Sequence, residues 1–392
     1  MLKYNMTKKN NFSLILIINF IIFIILWIFV ELIYFGYKNY NTVQCNPSWI
    51  LYNYCPNIKY EKVNNLEDGG DIIQISVDEN GSRVSNKNFD IINKAKVFII
   101  GDSFVQADEI SYEKTVYGKL NSLEQFSTYS LGYSSWNPIQ YFDAVKKINK
   151  LDSEYIIFLF ANDVHPGYIR SVYGEINSEK NFKNRLSHLL CYKILKFLRD
   201  QFNVIDDEKV IHEQLGFFSN KFTISEINNC DPLNRIKNSS YSKKLGFDYI
   251  VYSKSYNCWP EKHKIAYEAF AKIIRQINHH IKNKLHSNIS YIWVPAGWAF
   301  KDQNSMGRMN SRYFFSNDIE ITQQGLTNKF KSDFNDYEII DMELILHNKL
   351  NNCKLRCKDK YYYPLDGHWK PDTHEILSHE LIKKICPITS SC

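Results

Sequence analysis

The chain alternates between short apolar runs and stretches in which apolar residues recur at helical spacing. Continuous apolar runs, typical of strands covered on both faces of a sheet, predict strands at 97–100 and 155–160. The strand–helix rhythm predicts further strands at 126–131, 289–294 and 337–340. Helical spacing predicts helices at 112–123, 139–150, 263–285 and 377–385. Because strands and helices alternate, we expect a three-layer α/β/α sandwich with a mainly parallel sheet.

The longest apolar stretch precedes this region, at residues 12–35, and only Ser13, Asn19 and Glu31 interrupt it. About 20 apolar residues suffice to cross a bilayer as a helix. Lysines lie within residues 1–11, whereas the charges after the stretch roughly balance, so the positive-inside rule places residues 1–11 in the cytoplasm. No small-residue cleavage site follows, which favours an uncleaved anchor over a signal peptide. We therefore predict one transmembrane helix and a main domain that is periplasmic or extracellular.

Two further regions follow the predicted anchor. Residues 36–90 are polar and rich in turns, with one strand pattern at 71–77, and we interpret them as a linker and N-terminal extension. Residues 91–386 carry the alternating pattern of the main domain. The alternation breaks at about 168–259, which we interpret as an insertion that either covers one edge of the sheet or decorates its side.

Charge and cysteine content narrow the functional classes. The chain has 48 basic and 42 acidic residues without a Lys/Arg cluster, so we expect no nucleic-acid partner. Nine cysteines outside the cytoplasm are candidates for disulfides, although spacing does not fix their connectivity. The local candidates are Cys45 with Cys55, Cys230 with Cys258, and Cys353 with Cys357. No second cysteine or histidine pair completes a metal site with the last of these, so we expect no metal and no cofactor.

Ser103 follows the first predicted strand, within the segment Gly101-Asp102-Ser103-Phe104. The small residues predict a tight turn that places Ser103 at the carboxyl edge of the sheet, where ligands bind in open α/β folds. A serine there becomes a nucleophile if a base reaches it, and a helix N-terminus stabilises the negative charge on its oxygen. The same position also suits a helix N-cap, which is a common structural role for serine.

A base for this serine is offered by Asp366-Gly367-His368 near the C-terminus. Residues two apart on an extended loop point to the same side, so Asp366 can orient the imidazole of His368. Acyl transfer also requires hydrogen-bond donors for the developing oxyanion. Candidates at the same sheet edge are Asn162, after the third strand, and Gly132 and Ser135, after the second, although strand-ending turns commonly contain such residues.

These motifs resemble the SGNH/GDSL hydrolase superfamily, and especially its membrane-anchored branch similar to alginate-type O-acetyltransferases. The resemblance covers about residues 91–386 and implies that Ser103 is the nucleophile. It also implies that the side chain of Asn162 and the backbone amide of Ser135, at a position where the family has glycine, bind the oxyanion. The chain departs from the family pattern in two places: Phe160 replaces a glycine, and the Asp-x-His spacing is one residue shorter than the common form.

We therefore expect serine-dependent acyl transfer on an ester-bearing carbohydrate, as an O-acetyltransferase or an acetylesterase. The triad does not separate these two activities, because the same histidine deprotonates a sugar hydroxyl or water. The resemblance also implies a multi-spanning membrane partner that supplies acyl groups. The alternatives are a degenerate glycan-binding or scaffolding protein, a lipolytic esterase, and a metal-dependent phosphoesterase using Asp102, Asp163, His165, Asp366 and His368.

Overall fold

The computed structural model describes residues 18–31, 43–85, 92–164, 252–300, 323–350 and 358–386, apart from short gaps inside these ranges. The chain divides into two compact units, Met1–Thr42 with Gly174–Asn220, and Val43–Tyr173 with Lys221–Cys392. Most of the predicted insertion at 168–259 lies outside the described residues.

Helix α1, residues 18–31, is the described part of the first unit. Its apolar side chains, including Phe20, Phe23 and Ile25, are exposed. In the part of the chain that the structure describes, no helix combines the length and the apolar character needed to span a bilayer. The rest of the predicted anchor at 12–35 lies outside that part, so the anchor stays a prediction.

The described strands and helices of the second unit follow one another along the chain. In order they are β1 Gln44–Cys45, β2 Asn53–Tyr54, β3 Lys59–Val63, β4 Ile72–Val77, β5 Arg83–Val84, β6 Val97–Gly101, α2 Ser103–Gln106, α3 Val116–Asn121, β7 Thr128–Gly132, α4 Pro138–Ile148, β8 Glu154–Phe160, α5 Glu261–Lys284, β9 Asn288–Val294, α6 Gln324–Asp333, β10 Ile339–Asp341, α7 Met342–Leu350, α8 Lys358–Tyr361 and α9 Pro371–Ile385. Short 3₁₀ turns at Leu66–Asp68, Tyr112–Lys114, Ala161–Val164 and Tyr256–Cys258 separate some of them.

A five-stranded parallel sheet with the order β10–β9–β8–β6–β7 forms the centre of this unit. Every residue of β6 and β7 is buried, as expected for strands covered on both faces. Gly101 at the end of β6 pairs with Gly132 at the end of β7, and β8 runs parallel to β6 on its other side. The carboxyl ends of these three strands therefore share one edge of the sheet.

Helices cover both faces of this sheet. On one face, Phe98 and Tyr155 belong to a core that includes residues of α4, α5 and α6. On the other face, Ile99 and Ile156 belong to a core that includes residues of α3, α7 and α9. Successive strand residues point to opposite faces, so the separation of Phe98 from Ile99 places one helical layer on each side.

The predicted α/β fold with a mainly parallel sheet is confirmed, and the five predicted sheet strands are present with ends shifted by one or two residues. The spacing predicts one helix over 112–123, whereas the structure has a 3₁₀ turn followed by α3. The break comes at Thr115, whose side chain accepts the Gly118 N–H at 3.0 Å and so caps a new helix. The pattern misses α7, because Met342 and Leu346 are its only buried residues.

Four described cysteines of the second unit are disulfide-bonded. The predicted disulfide between Cys45 and Cys55 is confirmed, with an S–S distance of 2.08 Å. Cys258 and Cys386 each take part in a disulfide as well. The predicted pairing of Cys258 with Cys230, and the pairing within 353–357, involve residues outside the described part of the chain.

The N-terminal extension, defined here as residues 43–85, packs against the loop that follows α2. Its β3, β4 and β5 form an antiparallel sheet, and β4 matches the strand predicted at 71–77. A buried arginine of β5 binds backbone carbonyls of the loop after α2: Arg83 donates to those of Gln106, at 3.3 Å, Ala107 and Ile110. One side chain of the extension therefore fixes three carbonyls of a loop next to the carboxyl edge of the sheet.

Candidate active site

Ser103 is the first residue of α2, immediately after the turn that ends β6. The carboxylate of Asp102 accepts the Phe104 N–H at 3.0 Å, so Asp102, and not Ser103, is the N-cap of this helix. A side chain at Gly101 would bring its Cβ to 2.6 Å from Val105 and 2.9 Å from Phe158, which explains the glycine there. The cap role that competes with a nucleophilic role for Ser103 is therefore already filled by its neighbour.

Helix α2 is only four residues long. A single turn has too few aligned peptide groups to act as a strong dipole, so the predicted stabilisation of charge at Ser103 by a helix N-terminus is small. The sequence places the first long helix of this region at 112–123, and the structure separates that segment from Ser103 by a further loop. Any stabilisation of negative charge at this edge therefore has to come from individual donors.

Asp366 and His368 are brought together on the loop before α9. Nδ1 of His368 contacts the Asp366 carboxylate, which also accepts the His368 N–H at 3.3 Å. Gly367 between them has φ +90°, in the left-handed region that favours glycine. Tyr363 fixes the loop, because its N–H donates to the His368 carbonyl at 2.9 Å and its carbonyl accepts the Gly367 N–H at 2.9 Å. The Asp–x–His spacing thus forms a closed, hydrogen-bonded turn.

This turn lies beside the one that carries Ser103. The rings of His368 and Phe104 are 5.0 Å apart between centroids. The charge of Asp102 favours the protonated form of His368, so the residues on both sides of Ser103 lie close to the imidazole. Within the described residues, no hydrogen bond joins the Ser103 hydroxyl to His368. Such bonds are often long in unliganded enzymes, and Nδ1 is bound to Asp366, which leaves Nε2 to meet the serine.

The structure brings Gly132 next to the turn that carries Ser103. A Cβ on Gly132 would lie 2.6 Å from Val105 and 3.0 Å from the Asp102 carbonyl, so the absence of a side chain permits this close approach. Ser135, three residues later, is exposed and has φ +68°. That left-handed conformation favours glycine, which is the residue that the family resemblance expects at this position.

Asn162 lies on the 3₁₀ turn that follows β8, at the same sheet edge. Its Nδ2 donates to the Asp102 carboxylate at 3.1 Å, and an amide nitrogen carries a second N–H besides the one used there. Phe160, at the position of the family glycine, packs its ring 4.8 Å from that of Phe104. Gly132 and Asn162 therefore lie beside the turn of Ser103, and Asn162 is hydrogen-bonded to Asp102 within it.

A buried carboxylate supports the turn that carries Asn162. Asp163 accepts the Tyr141 hydroxyl at 2.8 Å and the Phe160 N–H at 2.9 Å. Burial, followed by the nearby charge of Asp102, raises the pKa of Asp163 well above its usual value. Asp163 is thus enclosed by the fold and holds the Asn162 turn in place, whereas the phosphoesterase alternative requires it as a metal ligand. His165, a further ligand in that alternative, lies outside the described residues.

Glu109 is a functional candidate that the sequence reasoning missed. Glu109 lies on the loop after α2, and one of its carboxylate oxygens is 3.6 Å from Nδ1 of His368. Lys62, from β3 of the extension, contacts the same carboxylate. Asp68, also from the extension, accepts the Asp366 N–H at 3.0 Å. No local motif marks these residues, because their relation to His368 arises only from packing between distant segments.

The charges around His368 change its protonation. Burial by itself lowers the pKa of His368, but the charge of Glu109 and then the hydrogen bond and charge of Asp366 outweigh burial. With a further contribution from Asp102, the pKa of His368 rises to about 9. Burial opposes ionisation of Asp366, yet the same pairing with His368 lowers the pKa of this carboxyl below its usual value. The carboxylates around the imidazole therefore favour its protonated form at neutral pH, and the neutral form that can act as a base increases as the pH approaches about 9.

Donor atoms of Glu109, Asp366 and His368 lie within 4.8 Å of one another. Their contacts already balance their charges, since Lys62 contacts Glu109 and Nδ1 of His368 contacts Asp366. We therefore assign no metal ion to this group. The half-site at Cys353 lies outside the described residues.

Comparisons with known proteins add no assignment. No protein-family model matches the chain, and no curated protein sequence matches it. One solved structure to which the chain is similar is described as a gut microbial diltiazem-metabolizing enzyme, with a TM-score of 0.37 and 9% sequence identity. The match covers 74% of this chain and 46% of that one, so this chain spans less than half of its length. We base no functional argument on a likeness of this size.

Proposed function

We propose that the chain is a serine-dependent acyl-transfer enzyme of the SGNH/GDSL type, with Ser103 as nucleophile, His368 as base and Asp366 as the residue that orients the base. The observation that carries the proposal is the position of the Asp366–His368 pair beside the turn of Ser103. The cap made by Asp102 adds support, because it leaves the serine hydroxyl without a capping role.

In the proposed reaction, Nε2 of His368 in its neutral form, whose share grows as the pH approaches about 9, takes the proton of the Ser103 hydroxyl as the serine oxygen attacks the carbonyl carbon of an ester. The carbonyl oxygen becomes an oxyanion that accepts hydrogen bonds from the second N–H of Asn162 and from backbone amides at Ser103 and Ser135. As the intermediate collapses, the ester bond to the leaving alcohol breaks and His368 returns the proton to that alcohol. The product of this half-reaction is an acyl ester on Ser103.

The second half-reaction uses the same groups. His368 deprotonates water or a sugar hydroxyl, which attacks the acyl group. The bond between the acyl carbon and the Ser103 oxygen then breaks, and His368 returns the proton to that oxygen. Water makes the protein an acetylesterase, and a sugar hydroxyl makes it an O-acetyltransferase. The carbohydrate substrate, the membrane-anchored periplasmic or extracellular location and the multi-spanning acyl donor are parts of this proposal, and they rest on the family resemblance and on the apolar segment at 12–35.

One observation favours a second candidate function. The Ser103 hydroxyl and His368 are not hydrogen-bonded within the described residues, and Phe160 occupies a family glycine position. A glycan-binding protein that has lost catalysis would tolerate both features. Acylation of Ser103 is the property that separates the two functions.

The test mixes the full chain, in detergent, with 4-nitrophenyl acetate. We expect a burst of 4-nitrophenol and an acetyl group on the peptide that contains Ser103, found by mass spectrometry. Ser103→Ala and His368→Ala should abolish both signals, whereas Ser122→Ala, at an exposed serine of the same domain, should leave them unchanged. Faster turnover on addition of oligosaccharide would identify a transferase. A folded protein without burst or adduct would favour the glycan-binding candidate.

A further inference from the structure

Glu109 is a buried carboxylate that faces the histidine of the proposed triad. The residue is 5% exposed, and its Oε1 lies 3.6 Å from Nδ1 of His368. The same nitrogen contacts the carboxylate of Asp366. Two carboxylates from different segments therefore converge on one nitrogen of the imidazole.

The position of Glu109 is fixed from several directions. Its backbone carbonyl accepts hydrogen bonds from Nδ2 of Asn64, at 2.8 Å, and from the hydroxyl of Tyr363, at 3.1 Å. Its carboxylate contacts the ammonium group of Lys62. The next residue, Ile110, has its carbonyl bound by Arg83. Such a set of contacts holds a carboxylate in one place, as required for a group that orients a base.

We propose that Glu109 is a second positioning residue for His368, which shares Nδ1 with Asp366 and whose charge is moderated by Lys62 of the N-terminal extension. This inference rests on the proposed acyl-transfer function, since it concerns the base of that reaction. Glu109 does not itself touch the reacting atoms. Its role is to stabilise the imidazolium that forms when His368 takes the proton of Ser103.

A positioning role for Glu109 affects the pKa of His368, whereas a purely structural role would not. A carboxylate beside the imidazole favours its protonated form, so removal of Glu109 should lower the pKa of His368 from about 9. Removal of Lys62 should raise the pKa, because a cation next to the carboxylates disfavours a second positive charge. The other charged or titratable groups around the imidazole and its loop are Asp366, Asp102, Asp68, Tyr363 and His374.

The test follows the reaction of His368 with diethyl pyrocarbonate, which acylates the neutral imidazole. The full chain in detergent is treated at a series of pH values, and modification of the His368 peptide is measured by mass spectrometry. The side chain of His368 is 23% exposed, so the reagent can reach it. In the unmodified sequence we expect half-maximal reactivity near pH 9.

Four variants decide the outcome. Glu109→Gln should move the midpoint down by about one pH unit, the usual size of the effect of one neighbouring charge. Lys62→Gln should move it up, while Glu113→Gln, which removes an exposed carboxylate four residues away, should leave it unchanged. Glu109→Asp keeps the charge, so its midpoint should lie between that of Glu109→Gln and that of the unmodified sequence. This variant separates loss of charge from loss of packing.

An unchanged midpoint in folded Glu109→Gln would overturn the proposal, as would equal shifts in Glu109→Gln and Glu113→Gln. If Glu109→Gln does not fold, the direction of the Lys62→Gln shift decides, and a downward shift or none would overturn it. The readout does not require catalysis. Absence of the Ser103 acyl-enzyme together with the expected midpoints would reject the acyl-transfer function while showing the effect of Glu109 on His368.

Discussion

The edge of the parallel sheet and the N-terminal extension both reach His368, but by different routes. The sheet edge presents Ser103 and Asn162 at the ends of neighbouring strands, where a short sequence motif is enough to place a side chain. The extension reaches the same histidine through Lys62 and Asp68, which lie far from it in sequence. Strand ends therefore position the side chains of the candidate site, whereas packing between distant segments sets their charge and rigidity.

The largest effect is expected when the extension is detached from the loop after α2. Arg83→Met should destabilise the protein by about 3–5 kcal/mol, because it removes a buried cation near the buried Asp108 and leaves carbonyls of the loop without a donor. Urea unfolding of the full chain in detergent measures the change. Arg275→Met, at an exposed arginine of α5, is the control and should cost less than about 1 kcal/mol. A similar loss in both variants would contradict a special role for the extension.

A second prediction concerns the pH dependence of stability at the point where the two regions meet. The pKa of His368 is about 9 in the folded protein and about 6.5 in an unfolded chain. Its stabilising contribution is therefore fully present below about pH 6.5 and is lost as the pH rises through about 9. The loss is at most about 3 kcal/mol. Between pH 6 and pH 10, the free energy of unfolding should decrease less in His368→Gln than in His347→Gln, which changes an exposed histidine. Equal decreases in the two variants would contradict the prediction.

The smallest expected loss of stability comes from a substitution at the sheet edge itself. Asp163→Asn should cost about 1–2 kcal/mol, since the amide replaces one of the two acceptors used by Tyr141 and Phe160 with a donor. It should also lower kcat for 4-nitrophenyl acetate more than it changes KM, because the Asn162 turn loses its support. Asp143→Asn, on the outer part of α4, should change neither quantity. A fall in KM alone would show that Asp163 does not act through Asn162.

Local pattern is sufficient to predict the sheet of this protein. Strands such as β6 and β8 are buried on both faces and therefore consist of unbroken apolar runs, which mark them in the sequence. The same clarity extends to Asp366 and His368, because their spacing and the intervening glycine are enough to bring the side chains together. Helix α7 offers no such signal, because only Met342 and Leu346 are buried, while Ile345 and Leu350 are only partly buried against the same core.

The rest of the candidate site could not be predicted from local sequence. Glu109 lies six residues after Ser103 but points at a histidine 259 residues away along the chain, and only the folded protein reveals that contact. Lys62 and Asn64 sit in a stretch whose polar, turn-rich sequence resembles a linker. Their importance depends on the antiparallel sheet of the extension, whose strands β3 and β5 are too short or too polar to be recognised by periodicity.

The buried guanidinium of Arg83 also bears on how this architecture can be divided or recombined. A fragment that begins at residue 91 would contain every residue of the proposed triad, yet its loop after α2 would lose the donor for three carbonyls. Transfer of the sheet and its helices to another protein without residues 43–85 would therefore transfer the motifs but not the support for the loop that carries Glu109. The support for this loop therefore comes from residues that precede the first strand of the parallel sheet.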